Sequence, residues 1–206
     1  MIGAGSIARS ASLPDNAFQP ASRDAWRQWL SRNHGRDTGV WLVSFKKDTG
    51  RSCMSYDEAV EESLCFGWID SKPKTLDAER AMLWFSPRKV GTGWSAANKQ
   101  RIERALAAGS MAAPGLAKVE KAQADGSWFA LDAVEALTVP HDLQLALAAH
   151  AGAAGYFEAF PRSVKRSILE WISQAKTAAT RDKRVQETAR LAAINERANQ
   201  WRKPVK

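Results

Sequence analysis

Every strand-like pattern in this 206-residue chain lies before Gly109, and the chain beyond Gly109 repeats with a helical period. Strands and helices place apolar residues at different periods, so this division predicts an α+β region followed by a helical one. Gly39 to Lys46 alternates, with Trp41, Val43 and Phe45 on one face and Val40, Leu42 and Ser44 on the other, before Lys47-Asp48-Thr49-Gly50 turns the chain. Leu76-Asp77, a turn near Ala78-Glu79 and the run Ala81 to Ser86 read as a hairpin. Its second strand stops at Pro87, which has no N–H to give a central ladder. The expected fold is a small, mainly antiparallel sheet with packed helices, then a C-terminal helical module.

Helix boundaries are marked by short signals. Ser22 is placed to cap a helix in which Trp26, Trp29 and Leu30 share a face, ending at Asn33-His34-Gly35. Ser55-Tyr56-Asp57-Glu58 has the spacing of a capping box, and Ala59, Val60, Ser63 and Leu64 continue as a stripe that Gly67 can close. On that helix Glu61-Glu62 reads as a solvated face. If Trp68-Ile69-Asp70-Ser71 is extended, Trp68 and Asp70 share one side of a strand. Ser95 to Ala108 is predicted helical with Ile102, Ala105 and Leu106 inward and Asn98 on the same side. Later helices are marked by Leu116 and Val119, by Leu143, Ala146 and Leu147, and by Val164, Ile168, Trp171, Ile172 and Ala175. A last one is expected from about Thr180 to Asn199.

These signals divide the chain into a flexible leader (1–16), an α+β domain (17–110), a helix and linker (111–137) and a helical module (138–206). Hydrophobic residues make up 45% of the sequence, enough for each folded part to bury a core. The formal charge of +8 is unevenly placed: residues 161–206 hold 12 Lys/Arg against 4 Asp/Glu, while the rest of the chain balances at 18 of each. Cys53 and Cys65 form no C-x-x-C pair, and His34, His141 and His150 have no metal-ligand spacing, so neither a metal nor another cofactor is expected. A reducing, cytoplasmic setting fits this cysteine usage. Cys65 reads as a buried apolar residue and Cys53 as a loop thiol. There is no secretory signal and no stretch near the roughly 20 apolar residues of a membrane span. Gly3-Ala4-Gly5-Ser6 echoes a dinucleotide loop but lacks a preceding strand, and no Gly-x-Ser-x-Gly elbow is present.

Three blocks crowd aromatic, charged and glycine residues together: Phe66-Gly67-Trp68-Ile69-Asp70, Phe85-Ser86-Pro87-Arg88-Lys89, and Gly91-Thr92-Gly93-Trp94-Ser95 with Asn98-Lys99. With Pro140-His141-Asp142-Leu143, Phe157-Glu158-Ala159-Phe160, Ser167 to Ile172 and Ala175 through Arg181, they make the chain resemble the bacterial YdeI/OmpD-associated, or bacteriocin-protection, family over roughly residues 20–200. The resemblance implies a soluble protein connected with protection against envelope stress. It carries no catalytic residues to transfer, so whether the chain is an enzyme stays open.

The second and third blocks join two cations to a glycine-bearing loop and a helix start, ingredients that attract anions. The expected site is a small anionic-ligand pocket. Trp68 and Trp94 would be its walls, Arg88, Lys89, Gly93 and Ser95 its anion contacts, and Asp70 and Asn98 its orienting groups. The competing structural reading has Ser95 as a helix cap, Arg88 paired with Asp70, and both indoles packed in a junction. Trp94 cannot form a hydrophobic staple, since the fourth helical residue is Lys99, so its ring must pack elsewhere. A less favoured function is nucleic-acid binding through Arg181, Lys183, Arg184, Arg190, Arg197, Arg202 and Lys203. A third is protein interaction through the helical half. No pattern specifies an oligomeric state.

Overall fold

The computed structural model describes residues 11–51 and 54–200. Most of the leader, Cys53, and Arg202 and Lys203 lie outside the described residues. The chain forms two compact units, one ending at Phe129 and the other beginning at Ala130.

The first unit is built from β1 (Ala17–Phe18), α1 (Arg23–Asn33), β2 (Val40–Phe45), α2 (Tyr56–Cys65), β3 (Trp68–Thr75), β4 (Arg80–Pro87), α3 (Ala96–Ala107) and α4 (Ala113–Ala124). The sheet order is β1-β2-β4-β3, parallel between β1 and β2 and antiparallel elsewhere. The α+β expectation therefore holds, with a single parallel pair at one edge. Pro73 is tolerated because β3 is the other edge, where the register shifts between Asp70 and Pro73.

Local signals produce the expected ends. Ser22, Ser55 and Ser95 each accept a hydrogen bond from a first-turn backbone N–H, and Glu58 completes the capping box. Gly67 closes α2 at a positive φ of 75°. The helices cover the sheet face that carries Val40, Leu42 and Phe85, and Trp26, Leu30, Trp68 and Phe85 have no exposed surface. Their polar atoms are satisfied. The Trp26 indole N–H donates to the Ala59 carbonyl (3.1 Å) and Ser63 hydroxyl (3.2 Å), and that of Trp68 to the His34 carbonyl (3.0 Å). Val119 and Ala122 of α4 belong to this same core.

Two inward–outward expectations are corrected. Leu106 is 48% exposed, because α2 is the main element packed on α3 and covers only the narrow stripe of Ile102 and Ala105. Glu62, read as solvated, is 4% exposed: α1 lies across α2 and brings Arg23 and Arg27 onto its carboxylate.

The end of the expected leader is tied to the sheet through the hairpin turn. Ala11 donates its N–H to Asp77 and accepts from Arg80, while Asp77 also accepts from the Glu79 and Arg80 backbone N–H groups. The Arg80 guanidinium, together with these N–H groups, holds the Asp77 carboxyl down from 3.8 to about 2. A depressed carboxyl contributes stability that is present above its unfolded value and lost as pH falls through the folded one. Wild-type stability should therefore fall more steeply between about pH 4 and pH 2 than that of Asp77→Asn, read from urea midpoints. Parallel slopes would contradict this role for the turn.

The second unit consists of α5 (Asp132–Glu135), α6 (His141–Ala148), α7 (Ala153–Ala159), α8 (Arg162–Ser173) and α9 (Ala178–Ala192). Its core takes Leu143, Ala146 and Leu147 from α6 and Val164, Ile168 and Ile172 from α8, the stripes visible in the sequence. The last helix is shorter than expected. Asn195 adopts a left-handed φ of 55°, and the Asn195 and Glu196 N–H groups turn back to the Ala192 and Leu191 carbonyls, each at 2.9 Å. Asparagine tolerates this conformation, so the helix closes before Asn199.

Candidate functional site

Where β4 ends at Pro87, the chain turns away from the sheet and carries Arg88 inward. The Arg88 N–H donates to the Gly67 carbonyl at 2.9 Å, which fixes the start of the loop against the end of α2. Gly91 then takes a φ of 74°, a left-handed turn that suits glycine, and the Thr92 hydroxyl donates to the Lys89 carbonyl at 2.8 Å. The folded-back loop wraps its own arginine. Arg88 is 6% exposed and its Nη2 donates to the carbonyls of Thr92 (3.2 Å) and Gly93 (2.5 Å).

The guanidinium lies 3.8 Å from the centre of the Trp94 ring, whose other contacts include Trp128 at 5.0 Å. This is where the indole goes in place of a staple, and a cation over an aromatic face is a favourable pairing. Among the described residues Arg88 has no carboxylate partner, and its Nε is buried without a hydrogen-bond partner. Burial pushes its pKa down to about 10.

Beside it is a cavity of about 10 Å³, bordered by Arg88, Lys89 and Trp94 of the loop and by Lys118, Lys121, Asp125 and Ser127 from α4 and its C-terminal cap. The Ser127 hydroxyl, together with the Ser127 N–H that the carboxylate accepts at 2.9 Å, holds the Asp125 carboxyl below its usual range. Four cations thus surround a space that a single oxygen-sized atom can enter, with one carboxylate already committed to a cap.

The structure brings Arg88, Lys89 and Trp94 together and sets Gly93 and Ser95 next to them in the chain, Gly93 through its carbonyl and Ser95 as the α3 cap. Trp68, Asp70 and Asn98 are engaged elsewhere. The Trp68 ring meets Trp29 edge-on at 5.7 Å beneath α1. Trp68 and Asp70 do share a sheet face, opposite Pro87 and Phe85, but the Asp70 carboxylate accepts the Tyr56 hydroxyl at 3.0 Å. Asn98 accepts from Arg101 at 2.9 Å. The Arg88–Asp70 pair of the competing structural reading does not form.

Lys118, Lys121, Asp125 and Ser127 were not among the expected site residues. Their signal in the sequence is faint, a lysine pair three apart followed by an Asp-Gly-Ser cap, and it points nowhere until α4 packs on the first core. Cys65 is buried, and burial raises its thiol pKa, which makes it a poor nucleophile. Among the described residues no group of three or more His, Cys, Asp or Glu side chains could hold a metal ion, and no helix is long and apolar enough to cross a membrane.

Part of the basic C-terminal stretch is committed within its own unit. Arg181 pairs with Asp142 at 2.6 Å, and Arg166 with Glu135 and Glu170 at 2.8 Å each. Arg184 donates to the Trp171 carbonyl and lies over its ring, and Arg197 lies over Phe160.

Comparison with known families divides the chain in a similar way. A domain of unknown function (DUF8412) matches residues 18–118, and the family described as Bacteriocin-protection, YdeI or OmpD-Associated matches residues 136–195. The resemblance drawn from residues 20–200 is thus supported over the helical part, while the sheet-bearing part matches a separate family. No curated protein and no solved structure matches the chain.

Proposed function

We propose that the first unit captures a small oxyanion, phosphoryl or carboxylate, at the Arg88 loop, within the bacteriocin-protection role that the description of the matched helical family names. The observation that supports this reading is the buried arginine with no carboxylate. Desolvating a charge costs several kcal/mol unless an opposite charge compensates, and the leftover Nε adds about 1–3 kcal/mol for an unmade hydrogen bond. An anion would relieve both.

The cavity admits one oxygen, while exposed Lys89 and Lys121 and half-buried Lys118 stand at its border for the remaining oxygens. Trp94 and the Thr92 and Gly93 carbonyls hold the guanidinium in place before a ligand arrives, so little order has to be created on binding. The nucleic-acid alternative is weakened because Arg181, Arg184 and Arg197 are occupied within the second unit.

Inorganic phosphate and pyrophosphate should raise the melting temperature of the full chain beyond an ionic-strength match of sodium chloride. At a hundredfold excess over Kd the linkage is worth about 2.7 kcal/mol. Arg88→Met should keep the fold, since an apolar group of similar length is tolerated where a buried charge had no partner, and should flatten the phosphate response. Binding should persist through neutral pH, where the guanidinium stays charged although burial lowers its pKa to about 10. An equal phosphate response in wild type and Arg88→Met would remove the proposal.

A further inference from the structure

A cavity far larger than the one beside Arg88 lies elsewhere in the first unit, and its origin is legible in the chain. Pro20 ends β1 after two residues, so β1 pairs only with Trp41 and Leu42 and leaves the edge of β2 from Val43 onward without a strand beside it. The chain then passes Ala21 and Ser22 into α1. After β2 it returns through a 3₁₀ turn at Lys47–Thr49 and Gly50, at a φ of 65°, to the start of α2. Small residues face the gap these paths enclose. Ala21, Ser44 and Ala59 fill little of it, and a cleft of about 730 Å³ remains.

That volume is within the range of about 300–1,000 Å³ typical of small-molecule sites, and the lining has the composition such sites share. Leu42, Leu83 and Met54 supply an apolar floor. The charged groups are of one sign: Lys46 and Lys47 line the cleft beside the neutral Gln19, Ser44, Ser55 and Tyr56, and none of its lining residues is acidic. Lys46 is held in position by donating to the Asp77 and Ala78 carbonyls, both at 2.9 Å, while Lys47 is exposed. An apolar body ending in a negative charge complements both parts of this surface. A neutral or cationic ligand would leave the charge of Lys47 unanswered.

We infer that this cleft is a second ligand site, separate from the Arg88 loop, for a small carboxylate with an apolar body. The apolar part replaces water over Leu42, Leu83 and Met54, and the carboxylate meets Lys47 and the remaining ammonium hydrogen of Lys46 at the rim. None of the Arg88 cavity's residues lines the cleft, so the two readings stand or fall separately.

Decanoate is a suitable probe, titrated into the full chain by calorimetry and followed by methyl NMR. Saturable binding is expected with a Kd on the order of 100 μM or tighter, with shifts at the Leu42, Met54 and Leu83 methyls. Decylamine should bind at least tenfold more weakly. Lys47→Glu should weaken decanoate at least tenfold, and Ala21→Trp, which fills the exposed rim, should do the same by occupying space. Arg88→Met should bind decanoate as wild type does, whatever its phosphate response. The inference is overturned if wild type shows no saturable decanoate binding, if the shifted methyls lie outside the cleft, or if decylamine binds equally well. The wild-type measurements decide it even if a variant fails to fold.

Discussion

Glu62→Ala should lower the stability of the first unit by about 3 kcal/mol, an unusually large loss for a glutamate on a helix. The Glu62 side chain is 5% exposed and receives Arg23 Nε and Arg27 Nη1, each at 2.6 Å. Arg23 also reaches Glu61 at 2.9 Å, and Arg27 reaches the Ser110 carbonyl at 2.7 Å, so the carboxylate fastens α1 to α2 and Arg27 carries the link on to the segment after α3. Burial alone would lower the Arg23 and Arg27 pKa values, yet both are raised, because the bonds to Glu62 outweigh it. Without the carboxylate, Arg23 keeps Glu61 and Arg27 keeps the Ser110 carbonyl, but the two guanidinium groups lose the shared negative charge that offsets their mutual repulsion. Glu62→Gln, which keeps shape and one acceptor, should lose about half as much. Chemical denaturation at neutral pH provides the measurement, and a loss below about 1 kcal/mol for the alanine would place this cluster with ordinary surface pairs.

Gly115→Ala should cost a similar amount by a different route. A Cβ at Gly115 would stand 2.2 Å from the Cys65 carbonyl oxygen, 2.6 Å from its carbon and 2.8 Å from the Leu64 oxygen, all backbone atoms that no rotamer change can move. The same Cys65 carbonyl accepts the Ala112 N–H at 3.1 Å, so the amino end of α4 is seated on the carboxyl end of α2, with opposite partial charges in contact. Alanine would lift α4 off that seat and loosen Val119 and Ala122 in the core, a loss of about 3 kcal/mol. It should also weaken the phosphate response, since Lys118 and Lys121 travel with α4. The internal contrast is Gly155 in α7, where an added Cβ meets nothing within 4 Å. Gly155→Ala should stabilise by about 0.5–1 kcal/mol through helix propensity alone. Thermal or urea melts of the two variants should move in opposite directions; movement in the same direction would refute the packing argument.

Both effects were invisible in the sequence for the same reason. Glu61-Glu62 has the appearance of a solvated pair because a helix read alone has no neighbour, and its arginines are 35 and 39 positions away. Gly115 looks like an ordinary early-helix glycine until the end of α2 is laid against it. The site behaved likewise. The loop from Arg88 to Ser95 was legible, because a glycine turn, a helix cap and a displaced tryptophan depend on atoms a few residues apart. The arginine's surroundings were not: the loop folds back so that Arg88 donates to the Thr92 and Gly93 carbonyls, while Asp70 accepts the Tyr56 hydroxyl, and the two do not pair.

What the sequence determined by itself is therefore the set of elements and their ends: Ser22, Ser55 and Ser95 as caps, the alternation of β2, the hairpin before Pro87, and the apolar stripes of α6 and α8. Each arises from backbone hydrogen bonding and side-chain period within one or two turns. Tertiary structure alone decided that Glu62 is buried, that α4 supplies lysines to the Arg88 cavity, and that a short β1 leaves a cleft beside β2. Those outcomes depend on which surfaces meet, and burial, charge pairing and empty volume exist only between surfaces that have met.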